Sequence, residues 1–241
     1  ASPDLVLVTG DLVATGDRTG IALARRILDE ELTGRVEWRY VPGEGERSPG
    51  GDLSEFRSQI GDPVQVVDRS GTRFVLLNSA QGLFRLGGFE QLVRLRSVLA
   101  SAAGDASVSS VVVVAHHPTS DPSPGGTAAL ADPREGDLVE ELLAGFRADS
   151  GKTTAYVAGH THRFEATRVD GVQQVLAGPV MGAARSTLGA FTGWSLLRVA
   201  PEGVTVSFQP HVSRLRLTGP ATLAVGGTGR ATGTVAQFGR R

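Results

Sequence analysis

Val111–Pro118 reads VVVVAHHP: four valines and an alanine run straight into two histidines and a proline. The run is too short for a typical helix and too apolar for a strand with one wet face. It reads as a strand buried on both sides, of the kind found in parallel sheets covered by helices. A second segment repeats the arrangement. Thr153–Ala158 reads TTAYVA and ends on Gly159-His160-Thr161-His162. Four of the chain's five histidines therefore sit where two buried strands end. Ligands of open α/β sheets collect beyond the carboxyl ends of the strands, so imidazoles there are candidate metal ligands. His160 and His162 are two residues apart, and an extended backbone would point both to one face.

The flanking sequence supplies further layers. Leu5–Thr9 (LVLVT) is a short apolar strand ending in Gly10-Asp11. Ile21, Ala24, Ile27, Leu28 and Leu32 recur at helical spacing, and Gly34 is placed to end that helix. Val36–Val41 reads as a strand that stops at Pro42-Gly43, followed by a Gly- and Glu-rich loop to Gly51. Arg73–Leu77 is a strand, and Phe89, Leu92, Val93, Val98 and Leu99 mark a helix. Asp132-Pro133 is an N-cap followed by proline at the first helical position, with Leu138, Val139, Leu142, Leu143 and Phe146 on one face of the helix. Shorter strands follow near Gln173–Leu176, Trp194–Val199 and Val204–Phe208. Strands and helices alternate early, then strands dominate. That order predicts an α/β, four-layer α/β/β/α sandwich of two mixed sheets flanked by helices, with its metal site at the C-terminal ends of strands.

Composition narrows the chemistry. The 241 residues are 40% hydrophobic and 20% charged, as in ordinary globular proteins, with a net charge of −1. No basic face is available for duplex nucleic acid. No run approaches the roughly 18 apolar residues of a transmembrane helix. The absence of cysteine excludes thiolate metal sites, so a metal would be held by His, Asp, Glu or Asn, which suits Zn, Mn or Fe.

Together these motifs resemble the calcineurin-like metallophosphoesterases, of the purple acid phosphatase and cyclic-nucleotide phosphodiesterase type. That family carries Asp-x-His, Gly-Asp, Gly-Asn-His-Asp/Glu, a lone His, and Gly-His-x-His. Here LVLVTGD matches the second block, VVVVAHHP the fourth and VAGHTH the fifth. The resemblance spans about residues 4–210. It implies that Asp11 bridges two metals, that His116 and His160, together with Glu44, hold one of them, and that His162 serves the other. It also implies a metal-activated hydroxide attacking a small phosphoester substrate, monoester or diester. Two departures stand out. The chain opens at the strand before Gly10-Asp11, so the first block would lie upstream of a truncated start. The third block reads Gly43-Glu44-Gly45-Glu46, with Glu44 in place of the asparagine ligand and Gly45 in place of the histidine used near the leaving group. The resemblance thus implies two divalent or trivalent ions (Mn, Fe or Zn) in the intact parent, and one, held weakly, in this chain.

Each residue also has a plainer reading. Asp11 could cap a turn, and His116 could be a hydrogen-bonded core histidine. His117 reads as structural, supporting the site from behind. A Gly-rich acidic loop is usually solvated, which weighs against Glu44 and more against Glu46. Asn78 would close a strand end, and Arg163 and Phe164 would be packing and loop residues. The alternative function is a catalytically degenerate domain serving as a binding or scaffold module, beside other domains of a larger secreted protein. A mononuclear zinc hydrolase of another class ranks third.

Residues 1–211 read as the catalytic-type domain. Residues 212–241 are rich in Gly, Thr and Ala, and resemble the start of a bacterial immunoglobulin-like β module, or else a β tail. Such a module implies a secreted or cell-envelope location, with a cytoplasmic one left open.

Overall fold

The structure, a computed structural model, describes residues 2–121, 126–180, 192–220, 222 and 225–237. Its centre is a six-stranded mixed sheet, built of β3 (Gln65–Arg69), β4 (Thr72–Leu76), β5 (Ser110–Val114), β6 (Thr153–Ala158), β7 (Phe164–Val169) and β8 (Val172–Ala177), in the order β3-β4-β5-β6-β8-β7. The inner four strands are parallel, and the edge strands β3 and β7 are antiparallel to their neighbours. Every residue of β5 and β6 is buried, as their composition predicts.

Three apolar cores separate four layers. Alternation along β5 sends Val111 and Val113 to one face and Val112 and Val114 to the other. The first face packs on Leu95 and Leu99 of α4 (Gln91–Gly104) and on Val139, Leu143 and Phe146 of α5 (Pro133–Ser150). The second face meets Val41, Leu7, Leu197, Val204 and Val206. These come from β1 (Leu5–Val8), the end of β2 (Glu37–Tyr40), β9 (Gly193–Ala200) and β10 (Gly203–Pro210). Behind β1 and β2, Ile21 and Leu28 of α1 (Arg18–Leu32) and Phe56 of α2 (Ser54–Gln59) enclose Tyr40 and Trp38. Asp17 caps α1 by accepting from the Gly20 N–H, and Asp132 caps α5 ahead of Pro133.

The second β layer differs in detail from a continuous sheet. It consists of a parallel pair, β1-β2, and an antiparallel hairpin, β9-β10; among the described residues no ladder joins them. Each pair closes locally, through the α1 crossover or a tight turn. A shared apolar face against the six-stranded sheet holds them in one layer.

Some readings of the sequence are corrected. The helix placed around Phe89 begins at Gln91, and Phe89 and Val93 are exposed: α4 turns Leu95, Leu99 and Ala102 inward instead. Phe164 begins a strand, β7, that the sequence reading treats as loop. α2, β3 and the short α3 (Phe84–Gly87) went unread, being brief and weakly periodic. Beyond Pro210, β11 (Val212–Thr218) and β12 (Thr232–Gln237) form a hairpin whose Val212, Leu217 and Val235 are exposed and join none of the three cores. Residues 238–241 of the unit read from 212 onward lie outside the described residues.

Candidate metal centre

Four strands deliver the site from their C-terminal ends. β1 leads to Asp11, β2 to the loop 43–47, β5 to His116 and His117, and β6 to His160. β1 and β2 are parallel to each other, as are β5 and β6, so each pair releases its loops on one side. The two layers meet there, where His116 Nδ1 lies 2.6 Å from the Thr9 carbonyl oxygen. A carbonyl only accepts, so Nδ1 carries the proton and donates. The other ring nitrogen, Nε2, is thereby directed inward, with its tautomer fixed as metal-binding imidazoles require.

Around Nε2 of His116, itself 1% exposed, the remaining groups converge. Glu44 Oε2 lies at 2.7 Å and Asp11 Oδ2 at 3.3 Å. His160 Nδ1 lies 3.2 Å from His116 Nε2 and 2.9 Å from Glu44 Oε1. One donor atom from each of Asp11, Glu44, His116 and His160 falls within 4.8 Å of all the others. Glu44 Oε2 is buried and makes no well-aligned hydrogen bond, despite its closeness to His116. A buried carboxylate oxygen left in that state, with further imidazole nitrogens beside its partner Oε1, fits a cation. The set of two carboxylates and two imidazoles suits Mn, Fe or Zn.

The electrostatics agree. Burial alone would lower the His116 pKa, but the Asp11 and Glu44 carboxylates override it and push the ring up to about 10. Burial opposes ionisation of Glu44 as well, and the close imidazoles of His116, His117 and His160 overcome it, holding Glu44 well below the usual carboxylate range. Asp11 is lowered too, with His116 outweighing its burial. Below pH 10 the metal-free chain therefore keeps a second proton on His116, at Nε2, which an ion binding there would have to displace. Mn²⁺ affinity is expected to rise by about tenfold per pH unit between about pH 7 and pH 9, one proton leaving per ion bound. Titration calorimetry across that range checks it; a flat affinity would mean that His116 binds no metal. Because the folded value lies above the ordinary 6.5, the stability this proton confers is complete below 6.5 and is lost as pH climbs through about 10.

The other candidates take separate places. His117 is buried. Its backbone N–H donates to Ser79 Oγ at 3.0 Å, its Nδ1 lies 3.2 Å from the same oxygen, and its carbonyl accepts from the Tyr156 hydroxyl at 2.7 Å. Its Nε2 stands 3.3 Å from Glu44 Oε1, so the ring backs the carboxylate from the side. His162 is not among the four converging groups. The extended backbone expected for Gly159–His162 is not what forms: His160 (φ 61°) and His162 (φ 53°) are both left-handed, in an irregular turn. The pleat argument for a shared face therefore fails, and His160 reaches the cluster through the turn. Asn78 closes the end of β4 as expected, its Oδ1 accepting from the Ala80 N–H.

Gly45 has a positive part in the loop. Its N–H donates to Asp11 Oδ1 at 2.7 Å, and a Cβ at this position would fall on the Val13 carbonyl oxygen. Glu46 is fully buried, contrary to the expectation of a solvated acidic loop. A cleft of about 520 Å³ opens elsewhere, beside Trp38 and Arg39. Its arginines are already matched, Arg25 to Asp29, Arg35 to Glu31, and Arg39 and Arg69 to Glu37.

The model of the calcineurin-like phosphoesterase family matches residues 1–164, well over half of the chain, and those residues include all four converging groups. The chain belongs to the calcineurin-like phosphoesterases. The family is metal-dependent, and the layered α/β fold of this chain carries an Asp, Glu and His cluster of a kind that can bind a metal. Among solved structures it is similar to GAP50, the anchor in the inner membrane complex of Plasmodium, at 12% identity and a TM-score of 0.57, covering 86% of this chain and 74% of that one. Looser similarities include a Vps29 variant from Entamoeba histolytica (14% identity, TM-score 0.42, 98% and 84% covered). Another is the phosphopantetheinyl hydrolase PptH from Mycobacterium tuberculosis (17% identity, TM-score 0.42, 73% and 79% covered). A search of curated proteins returns no match. At these identities the structural likeness speaks for the fold alone, and the family assignment rests on the family model.

Proposed function

We propose that this calcineurin-like phosphoesterase hydrolyses small phosphoesters, with Asp11, Glu44, His116 and His160 holding one metal ion, Asp11 bridging to a second, and His162 among the second ion's ligands. The observation that supports it best is the convergence of four donor atoms within 4.8 Å. Ions bound there supply polarisation of phosphoryl oxygens and a hydroxide nucleophile near neutral pH. The chain's own groups do the positioning. Thr9 holds the His116 proton on Nδ1, Ser79 and Tyr156 fix His117, and the Gly45 N–H orients Asp11. Position 45 offers the leaving group no proton, and losing a general acid costs roughly 10²–10⁴ in rate. Substrates with good leaving groups are therefore favoured over alkyl esters.

The test is turnover of bis(p-nitrophenyl) phosphate and p-nitrophenyl phosphate with added Mn²⁺, against a chelated control and His160→Ala. Hydrolysis that needs Mn²⁺ and is lost in the variant is expected; equal rates in both proteins would remove the site. The competing reading, a degenerate domain acting as a binding module, draws its support from Gly45. It predicts no turnover above the chelated control. We also read residues 212–241 as a β unit apart from the phosphoesterase domain at 1–211, since among the described residues the β11-β12 hairpin adds no side chain to the three cores. A secreted or cell-envelope location follows from that reading alone.

A further inference from the structure

Glu46 is the most enclosed acid among the described residues, at 0% exposure. Its Oε2 accepts from the Gly43 N–H at 2.6 Å and the Asp11 N–H at 2.7 Å. Its Oε1 accepts from the Tyr40 hydroxyl at 2.6 Å and the Val13 N–H at 3.2 Å. Burial, reinforced by the charge of Glu46, holds the Tyr40 hydroxyl far above its ordinary range, so it stays protonated and donates. The four donors come from the end of β2, the loop after β1 and the loop 43–47. These are the segments that carry the two carboxylates of the candidate centre.

The bonds run in both directions. Glu46 accepts from the backbone of Asp11, and Asp11 Oδ1 accepts from the Gly45 N–H beside Glu46, at 2.7 Å. The two loops are thus clasped by a pair of carboxylates, each receiving from the other's segment. Asp11 needs such a clasp. Its φ of 56° is left-handed, a region that Asp enters more readily than most side-chain-bearing residues but still at a cost that bonded neighbours must offset. The N–H that Glu46 receives belongs to that strained residue. The Gly43 N–H, on the other arm of the clasp, immediately precedes Glu44 in the chain.

We infer that Glu46 is a positioning residue for the metal centre, the carboxylate that sets Asp11 and Glu44 side by side facing His116. This rests on the reading of Asp11 and Glu44 as ligands. The role requires a buried acceptor with two oxygens at this distance from the backbone. A glutamine offers one oxygen and turns an NH₂ group toward the donors on the other side. Groups that orient metal ligands typically change metal affinity by about 10–100-fold when altered.

Mn²⁺ titration calorimetry and thermal melts on the full chain test this, with wild type, Glu46→Gln, Tyr40→Phe and Glu135→Gln. Glu135 is the control. It too is a buried carboxylate accepting backbone N–H groups, from Phe84 and Arg85, but those segments carry none of the four converging groups. Glu46→Gln is expected to raise the Kd for Mn²⁺ by about 10–100-fold. Tyr40→Phe should weaken binding in the same direction by less, and it carries the test if Glu46→Gln does not fold. Glu135→Gln should lower Tm and leave the Kd unchanged. Wild-type Kd values in both site variants would overturn the inference, as would an equal loss in the control. A wild-type chain that takes up no Mn²⁺ would overturn the metal-centre reading itself, and the inference with it.

Discussion

Replacing His116 by alanine is expected to lose Mn²⁺ binding by well over the roughly 100-fold ascribed to a supporting group, and metal-dependent hydrolysis with it. The same change should also destabilise the metal-free chain, by less than the about 3–5 kcal/mol of a fully buried ion pair, since Asp11 and Glu44 are partly exposed. Both effects follow from one position. His116 bridges the layers through Thr9, and its ring stands within 3.3 Å of both Asp11 and Glu44. Without the ring, two partly exposed carboxylates face each other with no counter-charge between them, and the Thr9 carbonyl loses its donor. His160, more exposed and, among the described residues, bonded to neither layer's backbone by its ring, should separate the two effects: His160→Ala should forfeit metal with a much smaller change in Tm. Calorimetry for Mn²⁺ and denaturant unfolding of both variants check this. Metal binding retained in His116→Ala would displace His116 from the centre; equal stability losses in the two variants would contradict the bridging role.

How far the sequence could lead is visible in particular residues. Val111–Ala115 and Thr153–Ala158 were legible because strands buried on both faces leave an unbroken apolar run. Their histidines were legible because the run stops where the sheet ends. The four-layer order followed from the alternation of strands and helices. Glu46 was not legible. Its burial depends on Tyr40, Asp11, Val13 and Gly43 closing over it, and residues up to 35 positions apart leave no local pattern. The turn at His160 and His162 was misread for a related reason. A two-residue spacing shows a shared face only if the backbone is extended, and positive φ at both His160 and His162 breaks that premise. β7 hid because its Phe164–Val169 alternation is weak and half-buried.

Restoring the family's histidine at position 45 is expected to reduce function. From the sequence, Gly45 looks like a catalytic side chain lost from an otherwise intact loop, and Gly45→His looks like its repair. If the position were open, the gain on alkyl phosphoesters would be about 10²–10⁴-fold, the worth of a general acid. The loop is closed there instead: a Cβ at residue 45 would overlap the Val13 carbonyl oxygen, which is backbone and has no rotamer to escape into. Relief requires moving either the 43–47 loop or the segment 11–13. Those segments are joined by the bonds from Gly45 to Asp11 and from Asp11 and Val13 to Glu46. Overpacking of this kind typically costs about 1–3 kcal/mol, and here the displaced segments carry Asp11 and Glu44, the carboxylates of the candidate metal centre. Gly45→His should therefore melt lower, bind Mn²⁺ more weakly and gain nothing on alkyl esters. Gly45→Ala isolates the cause, since it adds the Cβ without the imidazole. If alanine already lowers Tm and Mn²⁺ affinity, the closed backbone is responsible. A histidine variant that speeds alkyl ester hydrolysis would show that the loop opens, and that the departure at Gly45 is a simple loss of the proton donor.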